Sequence, residues 1–428
     1  MNRHDLDDFV RSRVIARFLR YCAIDTTAEP TSDSHPSSQG QLALGALLKD
    51  ELHQLGLPTV EHDAHGYVYA ALPGRRSRSP LALTFCAHLD TSPSVSGNQV
   101  RPVVHAAYDG GTIPFEDDPA LFLTPEDSPE LTKFTGEDII TAAGKTLLGA
   151  DDKAGLAAIM TALEALGHFD YWAHPELKIV FTPDEEIGRG TDHIRRERLG
   201  DVGYTIDGGE MGELETECFH ALRAVLTFRG MNVHPGYAKN RMVNAGKLAA
   251  HFVAQLPASE APEHTEGREG FFHVTTLSGN ESRATAEMIL RDFDAEGNHR
   301  RAKLLRQMGR SFETAYPGLT IAVQVGEQYR NMKEVLDHYP LVRRKAQEAI
   351  LATGLEVITK SIRGGTDGAQ LCFMGLPTPN LFTGGLLSHS RKEWIPAIAL
   401  VKSTQVILEL CRLWAEDPEG MVPKKRSD

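Results

Sequence analysis

Cysteine is scarce and has no metal-site or bridging pattern. The five residues Cys22, Cys86, Cys218, Cys372 and Cys411 are scattered, odd in number and include no C-x-x-C. That argues against a disulfide framework and against a thiolate metal site. Long apolar runs are missing too: no stretch approaches the ~18 residues of a membrane span. The opening residues, MNRHDLDDFVRSRV, carry charges where a secretory signal has its apolar core. Positive charge is in deficit, with 45 Lys and Arg against 58 Asp and Glu and a formal net charge of −13. So acidic a surface repels a phosphate backbone, which disfavours nucleic-acid binding. The tail MVPKKRSD, expected to be disordered, has too few basic residues to reverse this. No tandem repeat is present. A cytoplasmic, reducing setting fits this cysteine usage, with neither membrane nor nucleic acid as partner.

What is present is a globular composition. The chain has 428 residues, 41% hydrophobic and 24% charged, long enough for two or three domains. Helical periodicity predicts helices over 7–23, 41–55 and 153–166, interleaved with strands YVYAAL (67–72), LALTFCA (81–87), ELKIVFT (176–182) and VGYTI (202–206). Alternation of this kind defines an α/β domain with a largely parallel mixed sheet. The segment 91–149 is rich in Gly, Pro, Asp and Thr, too long for a plain loop, and predicts small strand-like pieces. From 218 to 332 the order changes to β-α-β-β-α-β, that of a ferredoxin-like α+β unit. This reads as a lid or dimerisation domain inserted into a catalytic domain of 1–217 and 333–428. The α/β pattern resumes with a helix over 335–352, strands near 355–362 and 377–383, and a helix over 398–415.

Acids and histidines gather at predicted strand ends. His88-Leu89-Asp90 follows one strand, and residues two apart on a strand point the same way. Gly149-Ala150-Asp151-Asp152 precedes a helix, where adjacent acids can simply be caps. Asp184-Glu185-Glu186 follows a third element and Asp207-Gly208-Gly209-Glu210 a fourth; His389 lies in a glycine-bearing loop after an apolar strand. Each is ambiguous alone. Together they matter, because an α/β sheet brings its carboxyl ends to one edge. Two histidines and several carboxylates without cysteine suit Zn²⁺, Co²⁺ or Mn²⁺. The surplus of acids suits two ions sharing a carboxylate. Two near-misses are set aside. Gly144-Lys145-Thr146 has Ile139 at the first glycine of a phosphate loop, and Gly188-Arg189-Gly190 has His193 at the third glycine of a dinucleotide fingerprint.

The segments HLDTSP, LLGADDKAG, FTPDEEIGRG, DGGEMGEL, NVHPGYAKNRMVNA, ILRDFD, IRGGTDGAQL and GLPTPNLFTGG resemble, in order, those of the tripeptide-aminopeptidase branch of the M20 metallopeptidase family. The resemblance runs from about residue 10 to 415. It implies a zinc-peptidase-like catalytic domain holding two Zn²⁺ per chain. His88 and Asp207 would bind one ion, Glu186 and His389 the other, and Asp151 would bridge them. Asp90 would orient His88 and Glu185 would be the general base. A cis peptide would join Asp151 to Asp152. His234, Arg291 and Arg363 would bind the peptide substrate, the arginines through its carboxylate. The plainer readings make His234 a turn residue, Arg291 a partner of Asp292 or Asp294, and Arg363 a surface charge. The family commonly has an asparagine two residues before the final histidine; Leu387 stands there, so the hydrogen bonding of that loop should differ. Relatives of this kind often dimerise, which raises a homodimer through the inserted domain as an expectation.

Three functions compete at this point. The first is a tripeptide aminopeptidase. The second is dipeptide hydrolysis or N-acyl amino acid deacylation at the same site. The third is a non-catalytic metal- and peptide-binding protein. Intact Asp90 and Glu185 argue against the third, because a pure binder needs no general base.

Overall fold

The computed structural model describes residues 3–418, so the tail MVPKKRSD lies outside the described residues. The chain divides into two compact units. One holds the described residues up to Thr216, Met332–Lys360 and those from Thr366 onward; the other holds Glu217–Asn331 and Ser361–Gly365. The return of Ser361–Gly365 to the second unit, and with it Arg363, departs from the sequence reading, which gives this segment to the first.

The first unit is built on an eight-stranded sheet. Its spatial order is Thr59–His62, Val68–Leu72, Glu176–Thr182, Ala82–His88, Val202–Gly208, Asn380–Phe382, Glu213–Cys218 and Ile358–Ile362. The central strands pair in parallel, with antiparallel pairs toward both sides. Runs such as LTFCA and IVFT are apolar on both faces because helices and loops cover a parallel sheet on both sides. The short strand Thr59–His62 was not expected; TVEH is too short and too polar to show an alternation.

Helices Arg3–Cys22, Ala150–His168 and Ala397–Ala415 pack together, and the second lies on the sheet, buried on nearly every side. Gly155 permits that approach, since a Cβ there would lie 2.0 Å from the Ile206 carbonyl oxygen. The helix expected over 335–352 is two pieces, Lys333–Leu336 and Pro340–Ala352. Pro340 explains the break: it has no N–H to continue a helix but fits a first turn. The segment 91–149 supplies Pro102–His105 and Ile139–Ala142 to a three-stranded sheet with Trp394–Pro396, and Ile113–Pro114 and Phe122–Leu123 to a two-stranded one.

The second unit is a four-stranded antiparallel sheet in the order Phe271–Gly279, Arg283–Asp292, His220–Arg229, Thr320–Tyr329, with helices Ala245–Val253 and Ala295–Ala315. This is the strand order of the ferredoxin-like arrangement. Ala224, Leu226 and Phe228 alternate inward to meet Ala284, Ala286, Met288 and Leu290 in its core.

Candidate active site

Three neighbouring parallel strands deliver the first side chains. His88 ends Ala82–His88 in register with Thr182, the last residue of Glu176–Thr182. Glu185 and Glu186 follow Thr182 in a short 3₁₀ turn, and Asp207 lies near the end of Val202–Gly208. Asp151 enters from the start of Ala150–His168, where its φ of −85° and ψ of 102° are not yet helical. His389 comes from the loop before Trp394–Pro396. The Asp151–Asp152 peptide bond is cis.

The Asp151 carboxylate sits between two imidazoles. Its Oδ1 is 2.9 Å from His88 Nε2, and its Oδ2 is 3.4 Å from His389 Nε2. His88 Nε2 also faces Asp207 at 3.4 Å, and His389 Nε2 faces Glu186 at 2.9 Å. Each imidazole nitrogen therefore meets Asp151 and one further carboxylate. The charges do not balance, because these three acids find only the two imidazoles as cationic partners among the described residues.

The electrostatics follow from this crowding. Burial alone would lower His88, but Asp207, Asp151 and Asp90 raise it well above its ordinary value. Hydrogen bonds to Asp151 and Glu186 raise His389 to about 10. Burial pushes Asp207 up to about 7 and drives Glu185 well above the usual carboxylate range. Asp151, although buried, is held low by its two histidines. Such a set competes for protons unless cations neutralise it.

The remaining acids have structural partners. Asp90 sends one carboxylate oxygen to the backbone amide of Glu185 and the other to that of Glu186, both at 3.0 Å. Its contact with His88 Nδ1 is 3.4 Å, longer than the 3.0 Å from that nitrogen to the Asp90 carbonyl oxygen. Asp90 thus holds the Glu185–Glu186 turn as well as facing the histidine. Of the adjacent pair, Asp152 is the cap: it accepts hydrogen bonds from the amides of Gly155 and His88. Two further buried acids support the site, and the sequence reading assigned neither a role. Asp184 accepts hydrogen bonds from the Ser37 amide and Gln41 Nε2, tying the Glu185–Glu186 turn to the region where helix Gln39–Gln54 begins. Glu393 accepts from the amides of Leu148, Gly149 and Asp151. Their only sequence signal is an acid close to a motif.

Leu387 and His389 both have positive φ, 54° and 62°. Asparagine enters this left-handed region more readily than leucine. Leu387 offsets part of that cost by packing against a cluster that includes Trp394 and Phe134. The loop is tied locally by the Ser390 hydroxyl donating to the Leu387 carbonyl at 2.7 Å.

His234, Arg291 and Arg363 lie in the second unit. His234 Nδ1 accepts from the Gly236 amide and caps a 3₁₀ turn, as the plainer reading has it. Arg291 makes no ion pair with Asp292 or Asp294. It is buried, donates to Gln328 and the Leu290 carbonyl, and lies 5.1 Å from the Tyr329 ring centre. Asp292 pairs with Arg301 instead, and Asp294 caps Ala295–Ala315. Arg363 is no loose surface charge. Its guanidinium donates to the carbonyls of Gly267, Glu269 and Thr265 and to the Thr265 hydroxyl.

The profile of peptidase family M20/M25/M40 matches residues 134–413, and the chain belongs to that family. Over 408 residues the chain is 42% identical to peptidase T of Geobacillus thermodenitrificans, covering 95% of this chain and 99% of the relative. Its place within the family is with the peptidases T. Solved structures agree in fold. Aminopeptidase PepT from Bacillus cereus matches with a TM-score of 0.72 at 22% identity, covering 95% of this chain and 99% of that one. A tripeptidase from Staphylococcus aureus matches with a TM-score of 0.73 at 23% identity, covering 95% and 98%.

Proposed function

We propose that the chain is a metallo-aminopeptidase that releases the N-terminal residue from tripeptides, with a two-metal centre and Glu185 as general base. The observation that carries this reading is the Asp151 carboxylate, which offers one oxygen toward each of two histidine–carboxylate pairs. His88 and Asp207 would hold one ion, His389 and Glu186 the other, with Asp151 shared. The donor set fits: it is nitrogen and oxygen only, it carries surplus negative charge, and it suits Zn²⁺, with Co²⁺ or Mn²⁺ as substitutes. Bound ions supply Lewis acidity, which polarises the scissile carbonyl and lowers the pKa of the attacking water.

The chain's own groups do the rest. Glu185 takes the proton of the attacking water and returns it to the leaving amine. Asp90 fixes the backbone of Glu185 and Glu186 through its two oxygens. Acids in the site also suit the free α-amine of a peptide. His234, Arg291 and Arg363 are assigned to the substrate's carbonyl and C-terminal carboxylate on the strength of their motifs; Arg suits a carboxylate through its planar fork. A homodimer through the second unit rests on the same resemblance. The five cysteines are buried thiols, which fits a cytoplasmic setting, and no helix among the described residues is long and apolar enough to cross a membrane.

Elemental analysis tests the centre. About two ions per chain are expected in active protein, and Asp151→Ala should lose both, because Asp151 reaches each pair. One tightly bound ion in fully active protein would contradict the two-metal reading.

A further inference from the structure

The two histidines of the proposed centre are held in different ways. His88 is 2% exposed, and its Nδ1 lies 3.0 Å from the Asp90 carbonyl oxygen, a contact behind the ring that fixes its orientation. His389 is 44% exposed, and its Nδ1 makes no hydrogen bond among the described residues. Its backbone is left-handed at a φ of 62°, a region L-residues enter only where their surroundings hold them. The orientation of His389 therefore comes from the loop that carries it.

That loop is closed at its base and clipped beyond the histidine. At the base, Leu386 and Trp394 exchange backbone hydrogen bonds of 2.9 and 3.0 Å. Beyond the histidine, Arg391 Nη1 donates to Asp118 Oδ2 at 2.8 Å and to the Gly144 carbonyl at 3.1 Å. Lys392 Nζ donates to Asp127 Oδ1 at 2.6 Å. Both acids belong to the segment 91–149, and each is preset for its partner. Asp118 accepts from the Ala120 amide through Oδ1, and Asp127 from the Thr124 amide and hydroxyl through Oδ2. The other oxygen of each is left to face the loop. One exposed ion pair changes an equilibrium constant by up to about fivefold. Two on adjacent residues, beside a ligand with no bond behind its own ring, act on a single conformation.

We propose, on the premise of the two-metal centre, that Asp118 and Asp127 are positioning residues. Through Arg391 and Lys392 they hold the loop so that His389 faces Glu186 and Asp151, and they thereby set how tightly the ion of that half is kept. The His88 half does not depend on them.

The test loads full-length wild type and Asp118→Asn/Asp127→Asn with Zn²⁺ and follows release of each ion to excess chelator. The amide keeps each local bond through its oxygen and turns an –NH₂ on the cation. Both aspartate side chains are 29% exposed, so the fold is kept. Wild type should release two ions per chain. In the variant one ion should leave about 5–10-fold faster and the other at its wild-type rate. Raising KCl from ~0.1 to ~1 M should speed that one ion in wild type but not in the variant, because salt screens exposed charges. Saturating Zn²⁺ should restore kcat in the variant, and in a His389→Ala background the two substitutions should leave the remaining ion untouched. Equal release from wild type and variant, or both ions leaving faster together, would overturn the clip and leave the two-metal centre standing. Fewer than two ions released by wild type would overturn the centre and the clip with it.

Discussion

The Glu393 carboxylate accepts a hydrogen bond from the backbone amide of Asp151 at 3.2 Å, and it also takes the amides of Leu148 and Gly149 at 2.8 Å. The loop that presents His389 therefore also fixes, four residues later, the backbone of the acid that faces His389. Glu393 is 1% exposed, so water does not compete for these bonds. Glu393→Gln keeps the shape but turns an –NH₂ toward backbone donors. A fall in kcat and in metal affinity of roughly 10–100-fold is expected, as for other groups that orient metal ligands, with KM changing less. Normal kcat with full metal content would show that other contacts position Asp151.

Glu185→Gln separates proton transfer from metal binding. The amide keeps the size and polarity of the acid but cannot accept a proton. Loss of a general base typically lowers kcat by ~10²–10⁴. Steady-state kinetics beside elemental analysis should show that fall with metal content unchanged. A near-normal kcat would move the role to another carboxylate.

Glu215, which is not among the proposed metal ligands, gives a pH signature of its own. Burial beside Glu213 raises its carboxyl to about 8, although Asn380 Nδ2 donates to it at 2.7 Å. The unfolded value is ~4.3. Between the two values the folded chain keeps a proton that the unfolded chain has lost. The contribution is thus complete below the unfolded value and is lost as pH rises through about 8. Thermal midpoints of wild type should fall from neutral to alkaline pH more steeply than those of Glu215→Gln, which cannot ionise. Parallel curves would remove Glu215 from the alkaline transition.

The strand-end residues His88, Glu186 and Asp207 were legible because a parallel sheet brings those ends to one edge whatever the loops do. Asp151 and His389 were visible as an acid before a helix and a histidine in a glycine-bearing loop, but their roles needed the family motifs. The ferredoxin-like unit was legible from its element order, because each of its elements carries a clean period of its own. Asp184 and Glu393 were not, since the groups they hold, Gln41 and Leu148, lie 143 and 245 residues away in sequence. For Arg291 the plainer reading, an ion pair with Asp292 or Asp294, is not what the structure has. Asp292 lies next to it in sequence, yet adjacent residues of a strand point to opposite faces, and Asp292 turns to Arg301.

Substrate length tests the proposed activity most directly. In a tripeptide the terminal carboxylate lies two extended residues beyond the scissile bond, roughly 7 Å at ~3.3–3.6 Å per residue. Arginines committed to that carboxylate favour three residues over two or four, and a site for the free α-amine rejects a blocked one. The measurement is kcat/KM for di-, tri- and tetra-alanine, N-acetyl-trialanine and trialanine amide, in wild type and Arg363→Ala. Free trialanine should lead, both blocked forms should be poor, and Arg363→Ala should erase the difference between trialanine and its amide. Faster hydrolysis of N-acetyl-trialanine than of trialanine would contradict an aminopeptidase and place the chain among the deacylases of its family.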